Sequence, residues 1–203
     1  AGPKAFVAGA DIGEFTSVNP AEAVAMARKG QEIFLRIERN NKPFVAAVNG
    51  FALGGGCELA MCCHFRTASV NAQFGQPEVN LGLIPGYGGT QRLVQLAGKG
   101  KAMEWLMTGR LIGANEALNS GLVNHVWEAD QLLPKTREIL QQIHSKSSIA
   151  IDACIEAANS AYEPNGKGYE IEAELIHEFI SNRSRGFAYG PIIAAGINSC
   201  VLH

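Results

Sequence analysis

The alternation of apolar and polar positions divides the chain into an α/β part and a helical part. Residues 4–7 read as the tail of a strand running into a loop over 8–12. Asn19-Pro20-Ala21-Glu22 reads as a helix start, with Asn as the cap, Pro at the first helical position and an acid in the first turn. Val24, Ala27, Ile33, Phe34 and Ile37 then line one face, which predicts a helix reaching Arg39. After Lys42-Pro43, residues 44–48 form an unbroken apolar run, Phe-Val-Ala-Ala-Val, ahead of the turn signal Asn49-Gly50. That run predicts a short buried strand. A helix opened by Gly54, Gly55 and Gly56 follows, running to about His64, and then a strand over 65–68. Strand, helix and strand make a β-α-β unit compatible with a parallel pair. The pattern goes on with a short strand at 73–74, a helix over 90–97 stopped by Gly98, and a helix over 101–108. A short helix over 114–120, followed by Gly121, leads to an edge strand over 122–126.

From Asp130 the spacing turns helical, over 130–144, 148–162 and 169–180, with a loop at Pro164-Asn165-Gly166. The expected organisation is therefore an α/β core over 1–128 and a C-terminal helical region over 129–203. The end is atypical after about residue 185: no charged residue stands between Arg185 and His203. Gly190 and Pro191 break that stretch, which weakens a membrane-anchor reading and favours an aberrant terminus or a shifted reading frame.

Composition narrows the function classes. The 203 residues are 47% hydrophobic and 18% charged, which is ordinary for a globular protein. Net charge is −2 and no Lys/Arg block occurs, so neither nucleic acid nor an anionic membrane is an expected partner. The apolar stretch from Val45 is broken by Asn49, the glycines and Glu58, so it is no membrane-spanning helix. Five cysteines, Cys57, Cys62, Cys63, Cys154 and Cys200, form no C-x-x-C pair and are expected as reduced thiols in a reducing, cytoplasmic compartment. No metal site is expected, since Cys62, Cys63 and His64 are consecutive and point apart on a helix.

The 23 glycines cluster where chemistry can be placed. A glycine lets the backbone come close to a ligand, and a helix start presents N–H groups that have no partner inside the helix. The triple glycine is thus a candidate cradle for a polarised oxygen. Glu58 lies one turn inside that helix, and Glu78 follows Gly75-Gln76-Pro77. A second glycine-rich loop, Pro85-Gly86-Tyr87-Gly88-Gly89-Thr90, comes next. Two carboxylates beside glycine-rich backbone suit an acid–base pair with an oxyanion hole. Taken singly, each glutamate reads more plainly as a helix-start acid favoured by the dipole. Other signatures fail: there is no G-x-S-x-G elbow, no phosphate-binding G-x-x-x-x-G-K-[ST] loop and no H-E-x-x-H. His64 and His125 read as structural, and Asp11 as a turn residue.

Four ordered blocks carry a resemblance. Ala8-Gly9-Ala10-Asp11-Ile12, then Asn49-Gly50-x-Ala52-x-Gly54-Gly55-Gly56-Cys57-Glu58-Leu59, then Phe74-Gly75-Gln76-Pro77-Glu78, then Ile84-Pro85-Gly86-x-Gly88-Gly89-Thr90-Gln91-Arg92-Leu93 resemble the enoyl-CoA hydratase (crotonase) family. The resemblance implies a β-β-α spiral core, N-terminally incomplete here because the family's early strands and helix precede this point. It implies water addition to a 2-enoyl-CoA, with Glu58 activating water and Glu78 delivering the α-proton. The oxyanion hole would be the N–H groups of Ala10 and Gly55. Ala8, Asp11 and Ile12 would line the CoA side, Phe51, Leu53 and Leu83 the acyl side, with Gly54 and Pro77 also against substrate. Gly86 would support the water or Glu78 through its backbone. No cofactor is implied beyond the coenzyme A of the substrate. A homo-trimer or hexamer is implied, built through the helices after Asp130, with Val123–Trp127 exposing apolar surface. Two alternatives stay open: an incomplete family member with little activity, and a different crotonase reaction such as isomerisation or 3-hydroxyacyl-CoA dehydration.

Overall fold

A computed structural model describes residues 2, 4–9, 19–162, 192–194 and 200–202. Ala10, Asp11 and Ile12, and the helix expected over 169–180, lie outside the described residues. The chain divides into two units, residues 1–38 with 44–136, and residues 39–43 with 137–203.

In the first unit, helix α1 (Pro20–Glu38) opens on a reciprocal cap. Asn19 Oδ1 accepts from the N–H groups of Ala21 and Glu22, both at 3.0 Å, and the Glu22 carboxylate accepts from the Asn19 N–H at 2.8 Å. Seven short strands then form two sheets. One holds β1 (Ala5–Val7), β3 (Phe51–Leu53), β5 (Gln73–Gly75) and β6 (Ile112–Gly113), in that order. The other holds β2 (Val45–Val48), β4 (Phe65–Ser69) and β7 (His125–Trp127). Every pairing is parallel except β5 with β6. The expected parallel pair is β2 with β4, and the expected edge strand is β7, shorter and later than its sequence suggests. Strand β3 has no counterpart in the sequence reading. Three residues between a turn and a glycine run are too few to show a period.

The glycine-opened helix α2 (Gly55–Cys62) packs against strands of both sheets. Gly56 makes that approach possible: a Cβ there would collide with the Val7 carbonyl of β1. At the other end, the buried Arg66 of β4 closes the helix. Its guanidinium donates to the carbonyls of Leu122 at 2.7 Å, Cys63 at 2.8 Å, Met61 at 3.3 Å and Ala60 at 3.5 Å. A cation at a helix C-terminus also suits the dipole.

Behind the sheets stand α3 (Gly89–Ala97), α4 (Lys99–Thr108) and α5 (Ala114–Asn119). Phe74, Leu93, Trp105, Ile112 and Leu122 fill the core between them. Of the stretch 123–127 expected to expose apolar surface, Val123 belongs to this core at 2% exposure, while Val126 packs against it half-buried and Trp127 is half-buried. Leu81, Leu83, Ile84 and Met107 are among the apolar side chains left open.

Helix α6 (Leu132–His144) leads into the second unit, which also holds α7 (Ser148–Ser160), capped by Ser147 Oγ accepting from the Ala150 N–H. Strands β8 (Ile192–Ala194) and β9 (Cys200–Leu202) pair antiparallel. The C-terminal region is therefore not wholly helical. Gly190-Pro191 ahead of a β-branched Ile-Ile pair, with Val201 beyond, favours strand over helix there. Among the described residues no helix is long and apolar enough to cross a membrane.

Candidate active site

Gly54 lies between β3 and α2 as the helix N-cap, and its N–H donates to the Gly75 carbonyl at 2.9 Å. This link ties the start of the helix to the strand that leads to Glu78. Gly55 is the first residue of α2, and Glu58 follows in its first turn, with 1% of its surface exposed. Glu58 Oε1 accepts from two backbone donors, the N–H groups of Tyr87 and Gly89, both at 2.8 Å. Both belong to the second glycine-rich loop. Gly89 is a glycine for steric reasons: a Cβ would stand 2.9 Å from Glu58 Oε1 and 2.9 Å from the Gln76 amide. Any side chain there would push the carboxylate off its donors.

Glu78 is half-buried in a 3-10 turn (Pro77–Leu81) that follows β5. Its Oε1 lies 3.1 Å from where a Gly54 Cβ would be, so the carboxylate lies beside the start of α2. Gln76, 1% exposed, turns its amide nitrogen to Glu78 and donates to Oε1 at 2.9 Å and Oε2 at 3.1 Å. Gln76 therefore stands between the two glutamates.

The two carboxyls differ in electrostatic setting. Burial raises the Glu58 carboxyl above its ordinary value, while the Gly89 and Tyr87 N–H groups and the Arg92 charge pull it down. Glu78 is pushed up to about 7, first by burial and then by the charge of Glu58. Cys57 is buried beside both and its thiol is pushed up to about 12, chiefly by burial, so it stays neutral. One carboxyl held by fixed N–H donors, next to another poised near neutrality, is an arrangement able to accept and deliver protons in one event.

The other residues named from sequence spread around this pair. Pro77 starts the 3-10 turn and is half-buried; Leu83 lies beyond it and is exposed. Phe51 and Leu53 are on one side of β3, Phe51 open to solvent and Leu53 half-buried. Ala8 is exposed at the end of β1, where Gly9 runs close to the Leu53 carbonyl. The Gly86 carbonyl accepts from Gln31 Nε2 at 2.8 Å, and it is its neighbours Tyr87 and Gly89, not Gly86, whose N–H groups bind Glu58. The sequence reading gave no role to Gln76, Tyr87, Gly89 or Arg92. The Gly88-Gly89 pair was the available signal for the backbone donors.

Residues 1–190 match the sequence family Enoyl-CoA hydratase/isomerase. A crotonyl-CoA hydratase of Syntrophomonas wolfei is 49% identical over 176 residues, covering 86% of this chain and 68% of that protein. A short-chain-enoyl-CoA hydratase of Clostridium acetobutylicum is 50% identical over 178 residues, covering 88% of this chain and 66% of that protein. The chain thus spans about two thirds of the length of these relatives. The crystal structure of enoyl-CoA hydratase from Bacillus anthracis superposes with a TM-score of 0.84 at 39% identity, covering 91% of this chain and 72% of that one. A Thermobifida fusca protein solved in complex with CoA gives 0.81 at 29% identity, covering 92% and 76%.

Proposed function

The chain belongs to the enoyl-CoA hydratase/isomerase family, and from that membership we propose that it adds water reversibly to a short-chain 2-enoyl-CoA. The product is the 3-hydroxyacyl-CoA, formed by syn addition. The observation that carries this reading is the carboxyl pair: Glu58 pinned by two backbone N–H groups, and Glu78 beside it, raised to about 7.

Adding water across the 2,3-double bond needs a base for the water and an acid for the α-carbon. Glu58, ionised, takes a proton from water as its oxygen bonds to C3. Negative charge moves onto the thioester oxygen, where the N–H groups of Ala10 and Gly55 hold it. Such aimed donors are each worth about 3–4 kcal/mol to the transition state. Glu78, protonated, gives its proton to C2. Gln76 holds the Glu78 carboxyl in place while it does so. Ala8, Asp11 and Ile12 face the CoA moiety, and Phe51, Leu53, Gly54, Pro77 and Leu83 the acyl side. The reaction is redox-neutral and takes no cofactor besides the CoA the substrate carries.

The test is loss of the enoyl-thioester absorbance of crotonyl-CoA, in the wild type and in Glu78→Gln. The variant keeps the shape of the site and lacks the proton, so turnover falls by roughly 10²–10⁴-fold while thioester binding persists. Wild-type turnover in Glu78→Gln would remove Glu78 from its role.

A homo-trimer or hexamer is part of this reading. The support is the open apolar surface at Leu81, Ile84 and Met107. Light scattering from a stable, well-folded monomer at micromolar concentration would count against it. The cytoplasm is the proposed location, in keeping with the free thiols of Cys57, Cys62 and Cys63.

A further inference from the structure

Arg92 is a cation in α3 with 6% of its surface exposed. Its Nη1 donates to the Tyr87 carbonyl at 2.7 Å. Its Nε and Nη2 both donate to Glu38 Oε2, at 3.1 Å and 2.8 Å, at the end of α1. The guanidinium approaches Gly88 through Nη1, 2.6 Å from where a Cβ would be. It therefore braces the peptide segment whose N–H groups at Tyr87 and Gly89 grip Glu58.

The same face of α1 supports that segment at further points. Gln31 Nε2 donates to the Gly86 carbonyl, and Phe34 meets the Tyr87 ring edge to face at 5.6 Å. Gly30 lies directly under the Tyr87 ring, where a Cβ would collide. Residues 30, 31, 34 and 38 recur at helical spacing, so one stripe of α1 carries the whole loop.

We propose that Arg92, clamped by Glu38, is a positioning residue for hydration, holding the Tyr87–Gly89 backbone so that Glu58 stays fixed on its two N–H donors. This rests on the hydration reading above. Arg92 has no contact with substrate in this role; it acts through the loop. Among the described residues, the charged and titratable groups facing Glu58 are few. Cys57 on α2 is a neutral thiol, Glu78 reaches it from the 3-10 turn, and Arg92 reaches it from α3, with Glu38 of α1 behind Arg92. Among these, Arg92 is the one that favours the ionised form of Glu58.

The experiment compares Arg92→Gln, Arg92→Lys and Glu38→Gln with the wild type. Three quantities are read: the pH profile of kcat/KM for crotonyl-CoA, kcat and KM separately, and the ¹³C titration of the Glu58 carboxyl. The carboxyl signal is assigned by its loss in Glu58→Gln. In Arg92→Gln the Glu58 titration and the acid limb of the profile move to higher pH. At neutral pH kcat falls about tenfold or more, with KM within about threefold. Arg92→Lys keeps the charge, so the titration returns toward the wild-type value. Its kcat stays low, because a single ammonium cannot span the Tyr87 carbonyl and the Glu38 carboxylate as the planar fork does. Glu38→Gln, which leaves Arg92 in place but unclamped, gives a smaller loss of kcat in the same direction. Folded variants with wild-type Glu58 titration and wild-type kcat overturn the proposal. If Arg92→Gln does not fold, Arg92→Lys and Glu38→Gln carry the same test through kcat. The carboxyl titration is read without turnover, so it reports on Arg92 even if crotonyl-CoA is not the substrate.

Discussion

At the scale of single residues, the carboxyl pair sets a pH dependence. In the proposed hydration the working state of the pair carries one proton, with Glu58 ionised and Glu78 protonated. Hydration moves that proton from the Glu78 side to the Glu58 side, leaving the total unchanged. The reverse direction starts from the opposite tautomer, protonated Glu58 with ionised Glu78, but with the same one proton on the pair, so both directions should show the same bell in kcat/KM. The alkaline limb should fall near pH 7, where Glu78 loses its proton. The check is a pair of pH–rate profiles, one for crotonyl-CoA hydration and one for 3-hydroxybutyryl-CoA dehydration. An alkaline limb above about pH 9 would mean that Glu78 is not the group that titrates. The stability effect has a definite sign. The folded value of Glu78 lies above its ordinary 4.5, so its favourable contribution is complete below about 4.5 and is lost as pH rises through about 7.

The glutamates were legible in the sequence because acid–base chemistry needs their side chains at ordered positions. Gln76, Tyr87, Gly89 and Arg92 were not. Tyr87 and Gly89 act through backbone N–H groups, which every residue but proline has, so nothing in their identity marks the role. Arg92 sits in an amphipathic helix where a basic residue reads as solvated surface. Its burial becomes visible only once α1 is seen across from it.

At the scale of elements, α2 shows how one buried cation can hold a helix end. Arg66 satisfies four carbonyl oxygens, three at the end of α2 and one at Leu122. Arg66→Met keeps the length and removes the guanidinium donors from the Leu122, Cys63 and Met61 carbonyls, while the Ala60 carbonyl keeps the Cys63 N–H. Each buried carbonyl that loses its donor costs about 1–3 kcal/mol. Unfolding in urea should show a loss of about 3 kcal/mol or more, read as a lower midpoint at unchanged slope. A loss below about 1 kcal/mol would mean that water replaces the guanidinium there. The helix itself was readable from the glycines before Cys57 and the apolar run after it. What the pattern could not give was β3, nor the pairing of β8 with β9 in a stretch expected to be atypical. Strands of two or three residues take their identity from the neighbour they pair with, and that neighbour is far away in sequence.

At the scale of the whole molecule, the α/β character of the core was legible from the alternation of runs, and so was the parallel pairing of β2 with β4. The order of strands in each sheet was not. The parallel ladders join distant parts of the chain: Ala5 pairs with Phe51, and Thr67 with His125. Each such pair closes a long loop before it returns any contact energy. Folding should accordingly be slow, on the order of milliseconds to seconds. The helices can form early, since their hydrogen bonds are local. The grip on Glu58 cannot, because it needs α2, the loop at 87–89 and the sheets together. On dilution from urea, far-UV circular dichroism should recover first and crotonyl-CoA turnover last, with a measurable lag between them. Simultaneous recovery would mean that the sheets close as early as the helices. The strand ladder thus sets a clock as well as a shape: a newly made chain would spend its first moments helical, with its apolar strands still open and its chemistry not yet assembled.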